Sequence, residues 1–248
     1  MLRSSRILLA FTLAVLCPQA TALQAVVIRH DKPDADALAL GSRFAAAGRV
    51  VPDGGCTLIA PSWAVTAAHV AARLRPGSRV EFEGTPSVVK RVMAHPDASG
   101  PAGAPPDVDL ALIEFTAPVA GVQPIQLYKG RDELGRPVFI VGYGDYGVAG
   151  APFQRTDGKR RAVTNEIDDV GPKRVFMAFD APPSGSALEG VGAPGDSGGP
   201  AFVEVNGRLL LVGVSSASMN GKPGTYGVVD VYTRISSYVD WIEKTIAG

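Results

Sequence analysis

The chain has 248 residues, 24 Lys and Arg against 24 Asp and Glu, three His and two Cys, and 46% of it is hydrophobic. A net charge of zero excludes a dedicated nucleic-acid binder, which needs a concentrated basic face, and the apolar share with only 19% charge excludes a disordered chain. With 29 Gly and 20 Pro the composition favours short strands and turns over helices, and the length fits one large all-β domain or two average ones.

The first 22 residues read as a secretory signal. Arg3 and Arg6 give a basic start, residues 7–16 are almost all apolar, and Ala20-Thr21-Ala22 offers an A-x-A cleavage site. The apolar run is too short to cross a bilayer, which takes about 20 residues. Leu16 argues against a lipid anchor on Cys17, because that processing wants a small residue there. Cleavage after Ala22 leaves residues 23–248 with 22 basic and 24 acidic residues, since Arg3 and Arg6 leave with the signal. The product is expected to be exported, extracellular or periplasmic, with no integral membrane segment. Cys56 then stands alone, so no internal disulfide can form and the core must supply the stability.

Along the chain, β-rich runs fall at 49–51, 56–59, 79–83, 88–93, 110–114, 138–141, 174–179, 201–205, 209–214 and 227–232. Turn signals separate them, among them Pro52-Asp53-Gly54-Gly55, Arg75-Pro76-Gly77 and Asn206-Gly207. This punctuation suggests an antiparallel sandwich or barrels. Residues 98–106 are rich in Pro, Gly and Ala and read as a surface loop. One helix is expected at 237–246, with Val239, Ile242 and Ile246 on one face and Ser236 or Ser237 as its N-cap.

Two glycine motifs differ in weight. Gly142-Tyr-Gly-Asp-Tyr-Gly147 fits a dinucleotide fingerprint, but Gly150 and Pro152 oppose the helix that such a site requires, so a tight turn is expected. Gly195-Asp196-Ser197-Gly198-Gly199-Pro200 contains G-x-S-x-G, the nucleophile elbow of α/β-hydrolases. In that fold a His follows the serine, whereas here the three His stand at 30, 69 and 95. The order available is His, Asp, Ser. A hydroxyl nucleophile needs an adjacent base, and the base needs a group that fixes its tautomer. His69 ends the run Thr66-Ala-Ala-His69, and Asp109 opens Asp109-Leu-Ala-Leu112. Each alone reads equally well as a core histidine or a turn acid.

Together and in this order, Thr-Ala-Ala-His, Asp-Leu-Ala-Leu and Gly-Asp-Ser-Gly-Gly-Pro resemble the chymotrypsin/trypsin family of serine proteases. The resemblance extends to Gly54-Gly-Cys-Thr-Leu-Ile59, Gly142-Tyr-Gly144, Val212-Gly-Val-Ser215, Val231-Tyr-Thr-Arg-Ile235 and Val239-Asp-Trp-Ile242. It implies two packed antiparallel β-barrels with a C-terminal helix and a cleft between the barrels. It implies a secreted serine endopeptidase in which Ser197 attacks, His69 transfers the proton, Asp109 orients His69, and the N–H groups of Gly195 and Ser197 form the oxyanion hole. Asp107 is the rival acid but lacks the Leu-Ala-Leu continuation. A catalytically silent binding homologue and an esterase remain the alternatives. His95, before Pro96, resembles a surface-loop residue. No cofactor or metal is expected, since no two His lie within four residues of each other and Cys56 is unpartnered. The partner is a protein or peptide substrate, and the enzyme is expected to be a monomer.

The resemblance also carries expectations about substrate and activation. Ser215 should offer its backbone to an extended substrate. Ser216 and Ala217 follow it where the family has Trp-Gly, so Ala217 opens that wall. The family's pocket-floor acid is replaced by Val191, which favours small or apolar side chains. Asp230 falls where the family's closing strand has a glycine, and from there a carboxylate could meet a basic side chain. An apolar pocket is the rival. Family zymogens free an Ile or Val ammonium that pairs with the acid before the nucleophile, here Asp196. No Lys or Arg lies between Leu23 and Ile28 for a trypsin-like cut. Arg29 or His30 is therefore the expected internal partner of Asp196.

Overall fold

The computed structural model describes residues 26–98 and 108–248. The proposed signal, residues 99–106 of the Pro/Gly/Ala loop and Asp107 lie outside the described residues.

The first half runs β1 (Val27–Ile28), α1 (Asp34–Gly41), β2 (Ala47–Val50), β3 (Gly55–Ala60), β4 (Trp63–Thr66), the short helix α2 (Ala68–Ala71), β5 (Arg79–Phe82), β6 (Thr85–Ala94) and β7 (Ala111–Phe115). Strands β2 to β7 close into a barrel in the order β2-β3-β4-β7-β6-β5. The second half runs β8 (Gln126–Leu127), β9 (Pro137–Gly142), β10 (Gly147–Val148), β11 (Arg161–Glu166), β12 (Asp169–Val170), β13 (Arg174–Ala178), β14 (Gly190–Val191), β15 (Pro200–Val205), β16 (Arg208–Met219), β17 (Val229–Arg234), a 3-10 turn (Ile235–Ser237) and α3 (Val239–Ala247). Eight of its strands form one sheet in the order β11-β9-β15-β16-β17-β13-β12, with β8 beside β16. This sheet curls round its own core into a half-barrel. A side chain rather than a ladder ties its ends: the buried Asn165 of β11 donates through Nδ2 to Ala178 O of β13 and to Gly190 O, both at 2.8 Å.

The expected all-β architecture with one C-terminal helix is therefore present. Alternation explains it locally. In β13, Val175 and Met177 are buried while Arg174, Phe176 and Ala178 are half-exposed, as a strand with one face on the core requires. One apolar cluster fills the closed barrel and crosses the junction, where Phe44 stacks on Phe202 at 5.5 Å. A second, including Val138, Ile140, Val163, Val175 and Val212, fills the curled sheet. Burying each such side chain is worth about 1.5–3 kcal/mol. Cys56 is a fully buried free thiol in the first cluster, as its lone position suggests.

Several details depart from expectation. Helix α1 was not expected; its Asp34 is gripped by the buried Arg161 through two hydrogen bonds of 2.6 and 2.8 Å. Serines 236 and 237 do not cap α3. Ser236 Oγ donates to Glu133 and Ser237 Oγ to Pro172 O, and Tyr238 precedes the helix. His95 is no free surface-loop residue: its ring sits edge-on to Tyr238 and Trp241, with centroids 5.1 and 4.8 Å away. Gly142-Tyr-Gly144 leads into β10 and not into a helix, which removes the dinucleotide reading.

Candidate active site

Strand pairing brings the first two site residues together. β4 and β7 are antiparallel with Thr66 opposite Ala111, so the residues just after β4 and just before β7 emerge at the same end of the barrel. His69 on α2 and Asp109 ahead of β7 meet there. The Asp109 carboxylate takes the His69 ring, Nδ1 to Oδ2 at 2.7 Å, and the His69 backbone N–H donates to its Oδ1 at 3.0 Å. This fixes the ring and leaves Nε2 as the other nitrogen, free to accept a proton.

The second half holds the same carboxylate. Ser216 Oγ donates to Asp109 Oδ2 at 2.7 Å, and Thr233 Oγ1 donates to the Asp109 carbonyl at 2.9 Å. Burial of Asp109 works against ionisation, but the hydrogen bonds from His69 and Ser216 outweigh it and hold the acid below the usual carboxylate range.

Ser197 stands in a loop stitched to both halves. The Gly55 N–H donates to the Ser197 carbonyl at 2.8 Å from β3. From β16, the Ser215 carbonyl accepts from Gly198 N–H at 2.8 Å and the Ser215 N–H donates to Gly199 O at 2.9 Å. The loop closes so tightly that only glycine fits at 198: its φ is +81°, and a Cβ there would lie 2.2 Å from Thr66 Oγ1. Ser197 lines a cleft of about 220 Å³ together with Pro194, Ser215, Ala217, Pro223 and Asp230. A larger cavity of about 640 Å³ under α3 is mainly apolar, with the Lys129–Glu243 ion pair among its lining and no nucleophile–base pair.

A family model described as Trypsin matches residues 44–242. The chain belongs to the trypsin family. It is 31% identical over 225 residues to a trypsin of Saccharopolyspora erythraea, covering 79% of this chain and 90% of that one. It is 32% identical over 212 residues to a trypsin of Squalus acanthias, covering 78% and 86%. Neuropsin, a serine protease expressed in the limbic system of mouse brain, shares the fold with a TM-score of 0.68 at 21% identity over 83% of this chain and 96% of its own. The chain is thus a serine endopeptidase of the trypsin family, and protein or peptide is its substrate. No helix among the described residues is long and apolar enough to cross a membrane.

Of the trypsin-family residues read from sequence, His69 and Asp109 are in contact, and Ser197, Ser215, Ala217 and Asp230 share one cleft. Three expectations need correction. Val191 is not among the residues lining that cleft. Its strand β14 pairs with β1, and its side chain joins Val27, Phe179 and Val228 in an apolar cluster. The Ser215 backbone is already engaged by Gly198 and Gly199. The register between β16 and β17 slips there, leaving Ser216 in a bulge with its hydroxyl on Asp109. Ser216 was missed because two adjacent serines in a bulged strand cannot be ordered by alternation.

Asp196 does not pair with the expected cation. Its hydrogen bonds come from the amides of Gly144 at 3.2 Å and Ala193 at 3.1 Å, and neither Arg29 nor His30 reaches it. After β1 the chain turns outward. Arg29 pairs with Asp31 at 2.6 and 2.9 Å, and His30 Nδ1 meets Tyr226 OH at 2.6 Å. Burial pushes the Asp196 carboxyl up to about 8, against the pull of the Gly144 and Ala193 amides. The close fit is exacting here too: a Cβ on Gly142 would lie 1.8 Å from Asp196 Oδ1.

Proposed function

We propose that the chain is an exported endopeptidase in which Ser197 attacks the scissile carbonyl while His69 Nε2 takes its proton. His69 then gives the proton to the leaving amine, and water releases the acyl-enzyme by the same route. Asp109 holds the ring in the tautomer that presents Nε2 and stabilises the imidazolium. The N–H groups of Gly195 and Ser197 receive the developing oxyanion, where loss of one donor costs about 3–4 kcal/mol. Asp107, the rival acid, lies outside the described residues, while Asp109 already fills the position beside the ring.

One observation carries this reading. A single buried carboxylate oxygen, Asp109 Oδ2, receives both His69 and Ser216, and Ser216 lines the cleft that contains Ser197. Export rests on the sequence of residues 1–22, with cleavage after Ala22 leaving 23–248 as the protease domain. Asp230, buried in the cleft wall, is the residue we assign to meet a basic substrate side chain. One chain supplies His69 and Asp109 from its first half and Ser197 and Ser216 from its second, which suits action as a monomer.

Ser197→Ala is expected to fold and to lose about 10⁶-fold in kcat, with His69→Ala nearly as severe and the double variant no worse than either. Titration with an organophosphonate should modify one serine per chain. Retention of a tenth of the peptidase activity in Ser197→Ala would overturn the assignment. Hydrolysis of esters but never of a denatured protein would replace it with an esterase.

A further inference from the structure

Asp230 and Asp196 form a second acidic constellation beneath the cleft, and both side chains are withdrawn from water, at 2% and 1% exposure. Consecutive amides serve them. Gly192 N–H donates to Asp230 Oδ2 at 2.6 Å, and Ala193 N–H donates to Asp196 Oδ2 at 3.1 Å. Ser218 Oγ supplies the other hydrogen bond to Asp230, at 3.1 Å. A Cβ placed on Gly192 would lie 3.1 Å from Asp230 Oδ2, 3.3 Å from Tyr232 OH and 3.8 Å from Asp196 Cβ, so both acids and the phenol crowd one glycine.

Among the described residues no cation balances this group. The titratable groups facing Asp230 are Asp196 from the nucleophile loop and Tyr232 from its own strand. β13 sets Met177 opposite it and β16 sets Ser218, neither of them charged. The segment reaching the cleft at Pro223 carries Lys222, which is solvent-exposed. A buried carboxylate with two neutral donors and a second carboxylate nearby is poorly compensated when ionised. An ammonium or guanidinium entering the cleft supplies the missing charge; an uncharged side chain leaves the carboxyl better off with its proton.

We propose that Asp230 is a protonation-gated specificity residue: as a neutral carboxyl it lets the cleft take an uncharged substrate side chain before the scissile bond, and as a carboxylate it selects a basic one. This rests on the endopeptidase reading above. Burial pushes the Asp230 carboxyl up to about 7, against the Gly192 and Ser218 hydrogen bonds, so the gate lies near neutrality. An acid raised in this way holds its proton below about 7, and selectivity for basic substrates is gained as pH rises through that value. The proton released on binding a basic side chain passes to solvent.

The test compares two peptides differing only at that position, one with arginine and one with citrulline, its uncharged isostere. Their kcat/KM values are followed from pH 5.5 to 9. Any pH dependence of the chemical step common to both peptides divides out of the ratio. The arginine-to-citrulline ratio should rise about tenfold per pH unit through 7, since kcat/KM reports ionisations of the free enzyme and the two peptides use opposite forms of Asp230. Asp230→Asn should make the ratio low and flat. Benzamidine binding to Ser197→Ala, measured by calorimetry, should tighten over the same range and carries the test should Asp230→Asn not fold. A flat ratio in the wild type, or a pH-dependent ratio that survives Asp230→Asn, overturns the gate. Absence of any peptide cleavage alongside pH-dependent benzamidine binding would overturn the endopeptidase reading and uphold the gate.

Discussion

Ser216→Ala isolates the contribution of the second half of the chain to the Asp109 carboxylate. The hydroxyl donates at 2.7 Å to the oxygen that also holds His69, and both residues are buried, Asp109 to 1% and Ser216 to 5% exposure. A hydrogen bond to a charged group is worth about 1.5–3 kcal/mol, and bulk water cannot reach this oxygen to replace it. For a chain of this size that is a fall in melting temperature of about 3–12 °C. The loss depends on pH in a defined sense. Asp109 is held below the usual carboxylate range, so its ionised form contributes stability above the unfolded value near 4, and that contribution disappears as pH falls through the folded value. Removing the donor raises the folded value. The full loss should therefore appear at pH 7 and shrink towards that of a neutral hydrogen bond, about 0.5–1.5 kcal/mol, at pH 3 or below. Denaturant unfolding at both pH values measures it, with parent and variant both carrying Ser197→Ala to prevent self-digestion. A loss under about 0.5 kcal/mol at pH 7, smaller than any estimate for such a bond, would refute the reasoning. So would a loss at pH 3 as large as that at pH 7.

Asp196, raised by burial, holds a proton that the unfolded chain loses near pH 4, so it erodes stability as pH climbs from there to about 8. In the Ser197→Ala background, the melting temperature of Asp196→Asn relative to its parent should shift in favour of the variant over that range; a shift the other way would show a cation, such as a freed amino terminus at Val26, on the carboxylate. Cys56 is buried, and its thiol is pushed well above the ordinary range by desolvation, so native protein should resist alkylation and keep its melting temperature in dithiothreitol. A mass increase of two hydrogens on reduction would contradict this. Gly198→Ala sets a Cβ 2.2 Å from Thr66 Oγ1 at a positive φ and should lower activity at least about 100-fold by displacing the nucleophile loop, an effect of roughly 3 kcal/mol. Survival of half the activity would show that the loop yields cheaply.

The sequence discloses those parts of this fold whose signal is local. Short β-branched runs between turn residues mark most strands, the spacing of Val239, Ile242 and Ile246 marks α3, and the order of His69, Asp109 and Ser197 marks the chemistry. What it conceals depends on distant partners. Helix α1 has a small-residue buried face, Ala37 and Gly41, and is fastened by Arg161 from 120 positions and more along the chain. Strand β11, Arg-Ala-Val-Thr-Asn-Glu, looks too polar for a strand because Arg161 and Asn165 spend their polar groups on partners remote in sequence. Ser216 reaches Asp109 through one bulge, which no periodicity announces. The side-chain hydrogen bonds of Asp196 come from backbone amides, and amides carry no signature in sequence.

The nucleophile loop is pinned by Gly55 from one half and by Ser215 from the other, while Asp109 is shared between them. Neither half can therefore hold a working site alone. Before both halves have folded, or when one half opens transiently, Ser197 loses its carbonyl anchor and Asp109 loses a donor, and the chain is a substrate rather than a protease. The arrangement acts as an interlock: hydrolytic power appears only when both halves have docked, and the molecule least able to resist digestion is also unable to perform it.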